Sequence, residues 1–327
     1  MYYIYGSVQA IPTYRVYRLY DSGEQGTIIK LTWNEGMRAP LRMSSSYCAT
    51  MDHVNLYTRK KATCQMHSYA ISTSSWSRLP DSPMDSCPSV IINNLLTLVG
   101  GFSNGTTTNQ LFSLTGEGSG RRWTEEFPPM PTKRSVSTTL CTGMTLIVAG
   151  GMDKIGSRLQ IVEVLNSENL QWSTVAGLPQ PLSQAPAVAC GDQVYILGDS
   201  NMYTCSAGTL IRSSKSSLAS IRNRGAKAWE IVAAPPVTLT TCVSIHGQLL
   251  AIGGRDSDKK PTSAIHMYNP TTDSWEAISH MRTPRCDCIA AVLPNNQLIV
   301  VGGYTSAFTI TDSVEFATVE CHIANRL

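Results

Sequence analysis

The stretch LLAIGGRDSDKKPTSAIHMYNPTTDSWEAISHMRTPR, residues 249–285, joins several features in a fixed order. A short apolar run ends in a glycine pair, Gly253-Gly254, and a polar segment follows. A second apolar run, AIHMYN, leads to a turn, and Trp275 opens an outer run that stops at a Met-Arg-Thr-Pro turn. Each run is short and bounded by Gly, Pro, Asn or Asp. That reads as strand and turn, since no 3.6-residue period is sustained.

The same ending recurs outward from this stretch. It appears as LLTLVGG at 95–101, TLIVAGG at 145–151 and LIVVGG at 298–303, and as VYILGD at 194–199, where Asp199 replaces the second glycine. The glycines are Gly100, Gly101, Gly150, Gly151, Gly198, Gly253, Gly254, Gly302 and Gly303; the first of each set stand 50, 48, 55 and 49 residues apart. A sixth run, VNLYT at 54–58, keeps the apolar pattern without glycine. The tryptophans repeat as well: Trp33, Trp76, Trp123, Trp172, Trp229 and Trp275, separated by 43, 47, 49, 57 and 46 residues. Four short strands in a period of roughly 48 residues describe a propeller blade. With strands lettered a to d from the axis outward, the glycine pair ends strand b and the tryptophan lies on strand d.

The ring size follows from the chain ends. No tryptophan follows Gly302, whereas TIIKLTWNE at 27–35 is a d strand with no a, b and c strands before it. The last blade is expected to take strands a to c from 283–317 and strand d from 27–34, which joins the ends and removes exposed edges. The expected fold is all-β, a six-bladed β-propeller of four-stranded antiparallel blades over residues 27–321, closed by an N-terminal outer strand within 27–40. The repeats run at about 41–83, 84–131, 132–181, 182–236, 237–282 and 283–321. Residues 1–26 form an N-terminal extension in which YYIY and YRVYRLY are candidate strands. A seventh blade would need four strands, and only these two are left to supply it.

The residues Gly253, Gly254, Tyr268, Asp273, Trp275, Met281, Pro284 and Arg285 resemble the Kelch repeat, and the third period is similar through Gly150, Gly151, Val162, Glu163, Val164 and Trp172. The resemblance covers roughly residues 27–317. It implies a protein–protein interaction module, not a reaction, and so no catalytic residue and no cofactor. Many Kelch propellers are substrate-recognition ends of ubiquitin-ligase adaptors with a BTB or F-box domain, which 26 residues do not accommodate; others are cytoskeletal scaffolds. An enzyme or small-ligand propeller using the axial cavity is the alternative, to be told by His and carboxylates converging on the axis.

Composition is consistent with this reading. The chain has 327 residues, 42% hydrophobic and only 15% charged, with a net charge of +3. That provides a core and excludes disorder, and it offers no electrostatic footprint for nucleic acid or an anionic membrane. The N-terminus has no signal-peptide pattern, and no 18-residue apolar stretch occurs. A cytoplasmic protein with reduced thiols is expected. Of ten cysteines, Cys48, Cys87, Cys141, Cys190, Cys242 and Cys288 fall one per blade near strand a, as packing residues. Cys286 and Cys288, beside Arg285 and Asp287, stay open as redox candidates.

Strand alternation places the b–c and d–a loops on one face, where partner binding is expected. The candidate partner-binding residues there are Arg38, Arg42, Arg134, Arg158, Arg255, Lys259, Arg282 and Arg285. Their expected partner is a protein or an acidic peptide segment held by arginine forks. Arg134 and Arg285, each following a Pro-containing turn, have an alternative as structural pairs with a neighbouring blade. The Ser- and Arg-rich insertion at 199–228 is expected as a protruding b–c or c–d loop. Six histidines show no metal-ligand spacing, the GEGSG run at 116–120 precedes no helix, and no GxSxG is present. No metal site is expected.

Overall fold

The computed structural model describes residues 18–19, 26–36, 38–40, 42, 48–52, 54–59, 64–214, 228–306 and 309–324. Six antiparallel sheets form the protein. Blade 1 comprises Cys48–Met51, Asn55–Arg59, Met66–Ala70 and Ser75–Leu79. Blade 2 comprises Ser89–Ile92, Leu95–Ser103, Thr106–Thr115 and Arg122–Thr124. Blade 3 comprises Thr138–Thr142, Thr145–Ala149, Val162–Asn166 and Gln171–Val175. Blade 4 comprises Ala187–Cys190, Gln193–Leu197, Met202–Ser206 and Glu230–Val232. Blade 5 comprises Thr241–Ile245, Gln248–Ile252, Ala264–Asn269 and Ser274–His280. Each innermost strand lies beside the next, and the last, in blade 6, returns to the first.

Blade 6 closes the ring as the sequence predicts. Its inner strands are Ile289–Val292, Gln297–Val301 and Val314–Ala324, and its outer strand is the N-terminal Gly26–Glu35. The two chain ends pair from Gly26 opposite Ala324 to Glu35 opposite Glu315. This sheet carries a fifth strand, Arg18–Leu19, paired with Ile28 and Thr27. It falls within the candidate run YRVYRLY; YYIY lies outside the described residues.

Burial follows strand position. The b strands are buried along almost their whole length: every residue of Thr145–Ala149 is buried, and all of Gln297–Val301 but the first. A middle strand has a neighbouring blade on each face, so it reads as a continuous apolar run. Outer strands such as Ser75–Leu79 bury little beyond the terminal leucine. The apolar side chains divide into six clusters, one at each blade interface. They are unequal: fourteen buried residues lie between blades 3 and 4, and six (Val188, Tyr195, Leu197, Met202, Leu249 and Tyr268) between blades 4 and 5.

Four of the six tryptophans tie their outer strand to the preceding blade by a hydrogen bond. The indole N–H groups of Trp123, Trp172, Trp229 and Trp275 donate to the carbonyls of Pro80, Pro128, Ala176 and Ala233, at 3.3, 3.0, 3.0 and 2.8 Å. Trp33 and Trp76, the tryptophans of blades 6 and 1, keep buried indole N–H groups without a partner among the described residues.

The insertion is a c–d connection. MYTCS is strand c of blade 4, and the chain then forms helix α1, Ala207–Ser214, before the outer strand Glu230–Val232. Ala207 and Leu210 join the core between blades 3 and 4. The insertion therefore leaves from the face opposite the b–c loops; residues 215–227 lie outside the described residues.

Candidate protein-interaction face

The glycine pairs build this face. Gly100 and Gly101 have φ of +58° and +112°, a region that favours glycine. A Cβ on Gly100 would stand 2.5 Å from the Arg134 carbonyl, and one on Gly101 2.5 Å from the Asp85 carbonyl. The chain approaches this closely because the Gly101 N–H donates to the Arg134 carbonyl at 2.9 Å, linking blade 2 to the loop that enters blade 3. Gly151 to Leu182 and Gly254 to Arg285 repeat the bond at 2.8 and 2.9 Å.

Two predicted partner-binding arginines are consumed by this construction. Arg134 and Arg285 are fully buried. The Arg134 guanidinium donates to the carbonyls of Gly150 and Ile161, both at 3.0 Å, and pairs with Glu163 on strand c of blade 3. Glu163 also accepts from the Thr132 hydroxyl at 2.7 Å. Burial pulls the Arg134 guanidinium below its ordinary value, and the Glu163 charge and hydrogen bond oppose that shift. Arg285 repeats the arrangement in blade 6, donating to the carbonyls of Gly302 and Ser313 at 2.8 and 3.2 Å and pairing with Glu315. Both arginines are structural clamps between blades and cannot meet a partner at the surface. In blade 4, apolar Leu182 and Tyr203 share one core at the corresponding position.

The other six predicted residues are not fully buried. Arg38, Arg42, Lys259 and Arg282 are exposed. Arg38 pairs with Asp312 at 3.0 Å, and Arg158 with Asp199 at 2.5 Å. Arg255 is half-buried, and its Nε donates to the Cys286 sulfur at 3.4 Å. These cations are distributed over the loops of several blades and do not converge on one fork. Arg59, which the sequence reading passed over, is buried at the end of strand b in blade 1. It donates to the Cys87 carbonyl at 2.9 Å and to Asp85 at 3.2 Å, clamping blade 1 to blade 2.

Two cavities lie toward the axis on this face. One of about 310 Å³ is lined by the starts of the inner strands, including Ser86, Ser89, Ser137, Thr138, Thr139 and Thr241. The other, of about 720 Å³, lies at blades 4 and 5 and includes Ser183, Gln184, Asp199, Ser200, Thr238 and Leu239. Apolar and hydroxyl side chains line these walls, and Arg59 is the one Lys or Arg among the lining residues. Of the inner-strand cysteines, Cys87 and Cys288 are fully buried, Cys141, Cys190 and Cys242 are partly buried, and the Cys48 side chain lies outside the described residues; burial pushes the Cys242 and Cys288 thiols up to about 12. Cys286 is fully buried too, so neither redox candidate reaches the surface.

Comparison with known proteins agrees with this geometry. The Kelch motif matches residues 236–282. An F-box/kelch-repeat protein of Arabidopsis thaliana is 36% identical over 72 residues, covering 22% of this chain and 19% of the relative. Kelch-like protein 26 of Danio rerio is 25% identical over 164 residues, covering 49% of this chain and 25% of the relative. The matched stretches thus span a quarter or less of these relatives' lengths. The solved structure of YjhT superposes with a TM-score of 0.65 at 16% identity, over 89% of this chain and 99% of that one. That likeness speaks to the fold alone. With six blades closed in a ring, glycine pairs at the b-strand ends and a Kelch motif matched over residues 236–282, this chain is a six-bladed β-propeller similar to Kelch-repeat proteins.

Proposed function

We propose that this chain is a protein-interaction module that receives a partner on its b–c/d–a face. Kelch propellers serve generally in protein–protein interaction, and the observation that carries the reading here is the contrast between the two faces. The a–b connections are tight turns, such as Asn93-Asn94, Gly143-Met144 and His246-Gly247, whereas both axial cavities are lined by d–a loop residues. Loops on a rigid scaffold supply the adaptable contacts of such modules. The exposed Arg42, Lys259 and Arg282 support an acidic partner segment through charge-assisted bonds. The reading is of a binding protein without catalysis, cytoplasmic, and a recognition unit of a ubiquitin-ligase or scaffold assembly.

The test is affinity capture from cell extract with the native chain and with the triple variant Arg42→Glu/Lys259→Glu/Arg282→Glu. All three side chains are exposed, so folding is expected to survive. Loss of the captured partner in the variant supports the face, and undiminished capture rejects it.

A further inference from the structure

A series of main-chain hydrogen bonds links the d–a loops of blades 2 to 6 on the loop face, and among the described residues it is interrupted between blades 4 and 5. In blades 2 to 6 the d–a loop contains one residue with positive φ: Ser86, Val136, Gln184, Leu239 and Asp287. The Val136 N–H donates to the Ser86 carbonyl at 2.8 Å, the Gln184 N–H to the Val136 carbonyl at 2.8 Å, and the Asp287 N–H to the Leu239 carbonyl at 2.7 Å. The equivalent bond from Leu239 to Gln184 is absent, and neither the Leu239 N–H nor the Gln184 carbonyl has another main-chain partner among the described residues. One main-chain donor and one acceptor are therefore left open at the joint between blades 4 and 5.

The cavity of about 720 Å³ lies at that joint, with Gln184 and Leu239 both in its wall. Its origin is a shortened loop. In blades 3, 5 and 6 the b–c loops fold back over the face, through the bridges Met152 to Arg158, Arg255 to Pro261 and Tyr304 to Ile310. In blade 4 only residues 198–201 separate Leu197 from Met202, and no bridge forms. The space that a folded-back loop fills in its neighbours is left as a notch.

The chemistry of the notch selects its occupant. Leu239 is 52% exposed at the wall, and Leu182, Ala234 and Pro235 add apolar surface. Asp199 and Asp287 are the charged lining residues, Asp199 being paired with Arg158 at 2.5 Å, and no Lys or Arg lines the cavity. An acidic segment would find no cation in that wall to hold it. A peptide group both accepts and donates one hydrogen bond, as the open joint requires.

We propose that the notch between blades 4 and 5 is a docking cleft for an uncharged, extended peptide segment, whose main-chain amides bridge the open joint between Gln184 and Leu239. This rests on the proposed interaction face and specifies where on it a partner chain seats.

The experiment uses the full chain and short capped peptides in acidic, neutral and basic pools, with retention on the immobilised protein and hydrogen exchange as readouts. The native protein is expected to retain the neutral pool, and Leu239 is expected to gain amide protection on binding. Ser200→Trp, which fills the notch from an exposed position, should weaken retention about tenfold or more. Leu239→Asn, a residue that tolerates positive φ, should weaken it with the fold intact. The Arg42→Glu/Lys259→Glu/Arg282→Glu variant is run beside them to test for an acidic occupant. If the acidic pool is retained instead, and lost on charge reversal but not in Ser200→Trp, the face stands and the notch proposal is overturned. Preference for the basic pool, or retention of no pool, overturns it as well.

Discussion

Arg134 and Glu163 form a buried ion pair that joins the loop leaving blade 2 to strand c of blade 3. The main-chain carbonyl of Arg134 simultaneously holds Gly101 of blade 2, so one residue grips two blades. Removing one partner leaves a buried charge without compensation, which costs about 3–5 kcal/mol. Arg134→Ala and Glu163→Ala should each show that loss as a lowered urea midpoint. An apolar pair, Arg134→Met/Glu163→Leu, should recover most of it, because blade 4 uses apolar Leu182 and Tyr203 in the same place. A double variant as unstable as the singles would refute the account.

The sequence carried the ring and its closure more fully than the binding face. Glycine pairs and tryptophans are local marks with a fixed period, and each has a geometric reason to recur. Which arginines are buried depends on a carboxylate in the next blade, far along the chain. A signal was present: Glu163 in VEV and Glu315 in VEF stand between apolar residues of buried strands, and a carboxylate there needs a cation. The notch was illegible for another reason. It comes from a loop too short to fold back, and the 199–228 insertion concealed that shortness until strand Met202–Ser206 was located.

The indole bonds predict a difference between two otherwise matched substitutions. Trp172 donates to the Pro128 carbonyl at 3.0 Å, whereas the buried Trp76 N–H has no partner among the described residues. Trp→Phe removes similar ring surface at both sites. At residue 172 it also removes a hydrogen bond worth about 0.5–1.5 kcal/mol, and at residue 76 it removes an unsatisfied donor. Trp172→Phe should therefore destabilise more than Trp76→Phe. Equal shifts in the denaturation midpoint would show that these inter-blade bonds contribute nothing.

His266 on strand c of blade 5 has its Nδ1 buried without a partner among the described residues. Burial pulls its pKa below the ordinary histidine value, and the neighbouring His280 adds to the shift. The folded pKa is depressed, so the unfolded chain binds the proton first as pH falls. Stability is fully present above the unfolded value of about 6.5 and declines below it. His67 is shifted the same way, first by burial and then by Arg78. The melting temperature should drop on acidification through this range, and His266→Gln should flatten the slope. An unchanged slope would place the titration elsewhere.

Closure of the ring by the chain ends makes a prediction about association. Gly26–Glu35 pairs along Val314–Ala324, and Trp33 from that strand is only 7% exposed within the core between blades 5 and 6. Deleting residues 1–35 uncovers both the hydrogen-bonding edge of Val314–Ala324 and the apolar surface that Trp33 covers. A bare edge of this kind pairs with other chains. The truncated protein should leave the monomer peak in size-exclusion chromatography with light scattering. A peptide of residues 26–36, GTIIKLTWNEG, added in trans should return it to the monomer, because the peptide satisfies the same edge. A truncated chain that stays monomeric and folded without the peptide would show that the ring does not depend on this strand.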